Sequence, residues 1–406
     1  MTEAAKGKPA DGPLQGLRVL DVASLFAGPV IATMLGDFGA DVIKVEHPHG
    51  DGQRTMGWQK DGTSLWWSFI GRNKRSVTLD LHKETGQKLL KELVKEADVL
   101  IENFRPGTFE SWGLGYEDLA AINPHLVMVR VTAFGQTGPY SSRPGFGTLA
   151  EAMSGFAHIN GYPDGPPTLP PFALGDAVAA LFGTSATMFA LHYRDRQLDR
   201  PGQYVDLSIY EPLFWILGPQ ASIYDQLGVI QGRTGNRAPF TSPRNSYRSK
   251  DGRWIALSGS SQSIAERVMK MIGADYIIAE EWYRNHEGRL EHQDILDDLI
   301  GKWVAERSTE EVMETAEEAQ VAMMPVYTIE DIFSDPQYLA RETIISVDDP
   351  RIGPVKMQNV VPKLSKTPGS IRRIGPDLGE HNREVFLGEL GHTEEEFAQW
   401  LTEGAI

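Results

Sequence analysis

Between Leu17 and Thr132 the chain alternates short, nearly unbroken apolar runs with stretches whose apolar residues recur every three or four positions. The first kind fits strands buried on both faces, and the second fits helices with one buried side. The pattern predicts strands over Leu17–Ala23, Asp41–Glu46, Ser76–Leu81, Asp98–Glu102 and Leu126–Thr132. Helices are predicted over Ala27–Phe38, Lys83–Ala97 and Tyr116–Ile122, with Gly39 placed to end the first of them. Alternation at this spacing implies an α/β fold with a parallel sheet and helices on both faces. Ligands in such sheets bind at the loops beyond the carboxyl ends of the strands, here Ala23–Gly28, Glu46–Gly52 and Asn103–Gly107.

The pattern changes after Gly228, where Arg233-Thr234-Gly235-Asn236 leads into a loop containing Pro239 and Pro243. Beyond it, Trp254–Ser258 reads as a strand, while Ile264–Ile272, Gln293–Val304 and Thr309–Glu318 read as helices, which predicts a smaller α/β or α+β unit. From about Met324 onward, repeated prolines suggest an extended return leg. The expected organisation is a flexible tail over 1–14, a large domain over 15–228, a small domain over 229–325 and a C-terminal return to the large domain over 326–406.

Composition narrows the chemistry. The chain has 406 residues, 41% hydrophobic and 23% charged, with a formal charge of -16, which opposes non-specific attachment to nucleic acid or to anionic membranes. An anion site would have to be a concentrated local pocket. The absence of cysteine removes disulfides, thiolate ligands and a thiol nucleophile, so acyl chemistry falls to Ser, Asp, Glu, Lys or His. Ten scattered histidines give no metal-binding spacing, so no metal is expected. Residues Met1–Gly12 lack the apolar core of a signal peptide, and the longest apolar stretch, Ala177–Tyr193, is interrupted by Gly, Thr, Ser and His and falls short of a membrane span. A soluble, cytoplasmic protein is expected.

Asp176 follows a proline-studded loop and opens a long apolar helical run. A carboxylate there faces unpaired backbone N–H groups and the positive end of the helix dipole, so it should stay ionised and available as a nucleophile. Local sequence by itself favours the plainer role of a helix cap. Gly145-Phe146-Gly147-Thr148-Leu149-Ala150 imitates a dinucleotide fingerprint but follows Pro144 rather than a strand. Asn73-Lys74-Arg75 and Asn103-Phe104-Arg105-Pro106-Gly107 place cations and amides at the ligand end of the sheet, where they could hold phosphate or serve as ordinary solvated loops.

The order of these segments is more specific than any one of them. Gly16–Asp21 with Ala27-Gly28-Pro29, Leu35–Glu46, Asn73–Ser76, Glu102–Gly107, Phe134–Tyr140, Leu174-Gly175-Asp176, Gly202–Asp206, Asp335–Tyr338 and Gly379-Glu380-His381 together closely resemble the class III CoA-transferases, the CaiB/BaiF family. The resemblance implies a Rossmann-like large domain, a smaller domain and an interlocked homodimer. It implies Asp176 as the nucleophile, with coenzyme A thioester as co-substrate and no tightly bound cofactor. It carries CoA contacts to Phe26, Ala27, His47, Leu79, Asp80, Leu81, His82, Asn103, Phe104 and Arg105.

Three departures from the family pattern stand out. Ser111 replaces an arginine that some relatives set against the CoA phosphates, leaving Arg105 or Arg75 to take that load. Gly147 stands where many relatives have Asp or Glu near the nucleophile. Gly259-Ser260-Ser261-Gln262 only faintly echoes the glycine run of formyl-CoA transferase. The leading expectation is CoA transfer from a small acyl-CoA such as succinyl-CoA to a carboxylic acid. The alternatives are a 2-methylacyl-CoA racemase, against which Phe146 and Gly147 stand where racemases place a His-Asp pair, and a non-catalytic CoA-binding subunit of a mixed transferase.

Overall fold

The computed structural model describes residues 12–406, so most of the tail expected over 1–14 lies outside the described residues. The chain forms two compact units: one comprises residues up to Phe156, Leu169–Pro219 and Leu339–Ile406, and the other Ala157–Thr168 and Gln220–Tyr338.

The larger unit is built on six strands, β1 (Arg18–Asp21), β2 (Asp41–Glu46), β3 (Lys74–Thr78), β4 (Val99–Glu102), β5 (Val127–Thr132) and β6 (Gln203–Ser208). All neighbours pair in parallel, in the spatial order β3-β2-β1-β4-β5-β6. This is the doubly wound dinucleotide-fold order, in which the chain reverses its direction of winding between β1 and β4. Helices α1 (Ala27–Asp37), α2 (Glu84–Val94), α3 (Tyr116–Ile122), α4 (Gly147–Met153) and α5 (Leu174–Arg196) connect the strands.

Alternation along the strands separates two cores. Leu20, Ile43, Leu100 and Met128 pack against Leu89, Leu90 and Leu93 of α2, whereas Val19, Val42, Val99 and Val127 pack against Ile31 and Leu35 of α1 and Ala179 and Ala180 of α5. Gly183 lets α5 approach α1, since a Cβ there would lie 2.4 Å from Ile31. By length and apolarity α5 could cross a bilayer, contrary to the sequence expectation, but it lies along the sheet with Val178, Ala190 and Leu191 buried.

Sequence reading set the third strand at Ser76–Leu81, and the structure begins it at Lys74. The discrepancy arises because the charges of Lys74 and Arg75 looked like loop, whereas Lys74 is fully buried on Asp21 (2.8 Å) and the Pro29 carbonyl (2.7 Å). Helix α4 and strand β6 were not predicted.

The C-terminal segment is not merely an extended leg. It contributes a hairpin (Ile344–Asp349 with Gly353–Gln358), a helix (Glu394–Glu403), and Val385, Phe386, Phe397 and Trp400 to the first core. It also closes the open edge of β3: His381 N–H donates to the Ser76 carbonyl, Ser76 N–H to His381 Nδ1, and Thr78 N–H to Asn382 Oδ1. Gly379-Glu380-His381 therefore serves to satisfy an edge strand.

In the smaller unit three antiparallel strands, Arg244–Arg248, Trp254–Ser258 and Met323–Pro325, carry helices Gln262–Met271, Gln293–Ala305 and Thr309–Glu318. Ile255, Leu257, Val268, Leu296, Ile300 and Val312 form its own core.

Candidate active site

The loops after β1 and β4 meet at the reversal point of the sheet. Asn103 ties them together, accepting the Ser24 N–H (2.8 Å) and donating to the Ser24 carbonyl (2.7 Å). Leu25 sits in the left-handed region at φ 65°, and its N–H is held by Asp51 (3.2 Å), which in turn pairs with buried Lys44 (3.1 Å). A strained, non-glycine turn persists only where its surroundings over-determine it. Below the other loop, Glu102 accepts the Phe104 N–H (2.7 Å). Burial pushes the Glu102 carboxyl up to about 7 against the pull of Arg130.

Between these loops lies a cavity of about 280 Å³, lined by Phe26, Ala27, Asn103, Phe104, Arg105, Arg143, Phe146 and Asp176 among others. Arg105 and Arg143 have no carboxylate partner among the described residues, and the Arg143 guanidinium lies 3.8 Å over the Tyr140 ring. A second cavity of about 180 Å³ is lined by Lys44, His47, Leu79, Leu81, His82, Phe104 and Trp112. Phe104 borders both, in aromatic contact with Phe109 and Trp112 (5.2 Å each), while His82 stands edge-on to Trp112 at 5.0 Å. Asp80 fixes this wall by accepting from the His82 backbone (3.0 Å), and its own N–H reaches the Ala405 carbonyl (2.8 Å). Among the described residues, His47, Asp80 and His82 also form one group whose ligand-type atoms lie within 4.8 Å of one another.

Asp176 is the third residue of α5, in its first turn behind Ala173 at the cap position. It is not the N-cap residue itself, and its carboxylate accepts a hydrogen bond from its own backbone N–H. Burial, followed by the like charge of Glu151, raises the Asp176 carboxyl from 3.8 to about 6, outweighing the hydrogen bond from its own backbone N–H. It remains mostly ionised at neutral pH. Glu151, on α4, is 3% exposed and accepts the Gly175 N–H at 3.0 Å. Gly147 packs so closely that a Cβ would lie 2.1 Å from Asp176 Oδ2.

The structure thus gathers Phe26, Ala27, Asn103, Phe104, Arg105 and Asp176 at one cavity and His47, Leu79, Leu81 and His82 at the next, with Asp80 between the two histidines. Arg75 is a correction. It lines neither cavity, and its guanidinium is taken up by Asp41 (2.6 Å), Glu384 (2.9 Å) and Glu389, which removes it from the candidates for anion binding. Glu151, Arg143 and Trp112 were missed from sequence. The available signal for Glu151 was its spacing, one helical turn after Gly147.

The family model described as CoA-transferase family III matches residues 14–382. The chain is 44% identical over 388 residues to the succinyl-CoA–D-citramalate CoA-transferase of Chloroflexus aurantiacus, covering 95% of this chain and 96% of that protein. It is 40% identical to the beta subunit of the succinyl-CoA–L-malate CoA-transferase of the same organism, covering 95% and 96%. It is 30% identical to the human succinyl-CoA:glutarate CoA-transferase, covering 97% and 90%. A CaiB/BaiF family protein from Brucella suis superposes with a TM-score of 0.81 at 31% identity, over 93% of this chain and 99% of that one. Over nearly its whole length, and with its carboxylate set at the reversal point of the sheet, this chain belongs to CoA-transferase family III and is a CoA-transferase.

Proposed function

We propose that the protein moves CoA from succinyl-CoA to a second dicarboxylic acid, with Asp176 as the nucleophile. The observation that carries this reading is a partly buried carboxylate, raised to about 6, at a cavity with two guanidinium groups that have no carboxylate partner among the described residues, in a protein without thiols. The three transferases named above, from Chloroflexus aurantiacus and human, each pair succinyl-CoA with a dicarboxylic acid. In this route the Asp176 carboxylate attacks the thioester carbonyl, the C–S bond breaks, and a mixed anhydride and CoA thiolate result. The thiolate attacks the Asp176 carbonyl, releasing succinate and leaving an aspartyl-CoA thioester. The acceptor carboxylate then displaces the thiolate to form a new anhydride, and thiolate attack on the acceptor's acyl carbon yields its CoA ester and free Asp176. No water, metal or nucleotide enters the balance, and the thioester's free energy is conserved throughout.

The second cavity, with His47, His82, Phe104 and Trp112, is suited to the nucleotide end of CoA, and the first to the thioester end, with Arg105 near the phosphates. Arg105→Gln is expected to raise KM for succinyl-CoA by roughly tenfold, the effect of one lost charge-assisted contact, with a much smaller change in kcat. Initial rates at varied succinyl-CoA test this. Phe146 and Gly147 border Asp176 where a racemase would need a proton-exchanging pair, so solvent deuterium should not enter the α-position of a branched acyl-CoA. The overall reading is tested by incubating the protein with succinyl-CoA and a panel of C4–C6 dicarboxylates and following the acyl-CoA products by mass spectrometry. Absence of exchange with every acid would sink it.

Self-association belongs to the same proposal. Helix α5 exposes Leu181, Phe189 and Tyr193, and the following helix, Tyr210–Ile216, exposes Phe214 and Trp215. That is a large apolar face for a protein with a net charge of -16. A homodimer would cover it, and Phe189→Glu should shift the light-scattering mass toward the 45.0 kDa chain.

A further inference from the structure

We propose that Glu151 is a positioning residue that makes Asp176 reactive: its buried negative charge destabilises the free Asp176 carboxylate, and acylation relieves the repulsion. The inference rests on Asp176 being the nucleophile. Glu151 lies one turn into α4, is 3% exposed, does not line the cavity, and pairs with no cation among the described residues. Its bond to the Gly175 N–H (3.0 Å) fixes it to the residue preceding Asp176. The two helices close on each other through glycines. A Cβ on Gly175 would lie 3.1 Å from the Gly147 carbonyl, and one on Gly147 would overlap the Asp176 carboxylate. The departure at Gly147 is therefore compensated: the second carboxylate stands one helical turn further along, and only the missing side chain lets Asp176 occupy its place.

Arg105 and Arg143 line the same cavity as Asp176, and among the described residues Glu151 is the charged group whose repulsion raises the Asp176 carboxyl after burial itself. In the free enzyme two negative charges share a poorly solvated site. In both anhydrides and in the aspartyl-CoA thioester, Asp176 is an uncharged acyl group, so the repulsion exists only in the free state. A destabilised, more basic carboxylate is a better nucleophile, and every covalent stage is favoured relative to it. Burial is the larger cause of the raised Asp176 carboxyl, and the Glu151 charge adds to it.

The test uses the full-length protein labelled with ¹³C at aspartate side-chain carboxyls, comparing wild type, Glu151→Gln and Glu151→Asp. Glutamine retains an oxygen for the Gly175 N–H but loses the charge. The Asp176 midpoint is expected to move to lower pH in Glu151→Gln and to stay raised in Glu151→Asp. The plateau kcat for succinyl-CoA exchange in Glu151→Gln should fall by about tenfold at unchanged KM, with less aspartyl-CoA thioester at equilibrium. If Glu151→Gln lowers kcat without moving the midpoint, the residue only packs and the proposal is overturned, as it is if neither changes. Failure of the wild type to exchange any acyl group would instead refute Asp176 as nucleophile, while the titration still reports the coupling.

Discussion

Replacing Asp176 with asparagine is expected to abolish acyl exchange, by on the order of 10⁴-fold or more, while making the protein more stable at pH 7. The loss follows because an amide cannot form the anhydride. The stability gain follows from the raised carboxyl, at about 6 against an ordinary 3.8. The folded state holds this proton more tightly than the unfolded chain. The group's favourable contribution is thus present below 3.8 and lost as pH rises through about 6. At neutral pH the folded protein carries a charge it would rather not bury, and a neutral amide removes that cost, on the order of 1–3 kcal/mol. Thermal melts of both proteins at pH 7 and pH 4.5 check the sign: the advantage of Asp176→Asn should shrink at the lower pH. A variant less stable than wild type at pH 7 would mean that the carboxylate is stabilised in place. In the wild type, the same titration predicts that exchange falls away as pH drops through about 6. Hydroxylamine added during turnover should label Asp176, and peptide mapping that finds the label elsewhere would contradict the assignment.

Gly147→Ala should be nearly as damaging to turnover, by about 10²-fold, although the residue carries no functional group. The added Cβ would lie 2.1 Å from Asp176 Oδ2 and 3.0 Å from its Cγ, so the carboxylate must swing away. A displacement of about 1 Å at a nucleophile costs roughly that factor. Gly147 is buried at the first position of α4 and has no left-handed backbone, so alanine meets no backbone strain and folding should survive. The expected outcome is a low kcat with a near-normal KM for succinyl-CoA and an unchanged circular dichroism spectrum. Full activity would show that the nucleophile does not need this glycine.

Much of the larger unit was legible because its strands are buried on both faces. Asp41–Glu46 and Tyr116–Ile122, and in the smaller unit Trp254–Ser258 and Thr309–Glu318, coincide with predicted elements to the residue, as expected where hydrophobic periodicity is uninterrupted. Strand β6 was not, because in Gln203-Tyr204-Val205-Asp206 only one end of the strand is buried and the run looks polar. Lys74 and Arg75 misled for the opposite reason: strongly polar side chains sit in a strand, their charges neutralised by Asp21, Asp41 and Glu389, residues brought to them by the fold. Helix α4 hid behind a fingerprint-like glycine pattern.

The sequence by itself determined the α/β alternation, the loops after β1 and β4 that line the cavity, and Asp176 as the carboxylate of interest, because periodicity, glycine spacing and the order of motifs are local properties of the chain. Tertiary structure alone decided that burial and then Glu151 raise the Asp176 carboxyl, and that Glu151 is bonded to the residue preceding it across two helices. It also decided that Arg75 is spent on Asp41, Glu384 and Glu389, and that Gly379-Glu380-His381 closes the edge of β3. Each of these depends on burial and on the distance between groups remote in sequence. Desolvation and Coulomb repulsion act through space, and no pattern along the chain records them.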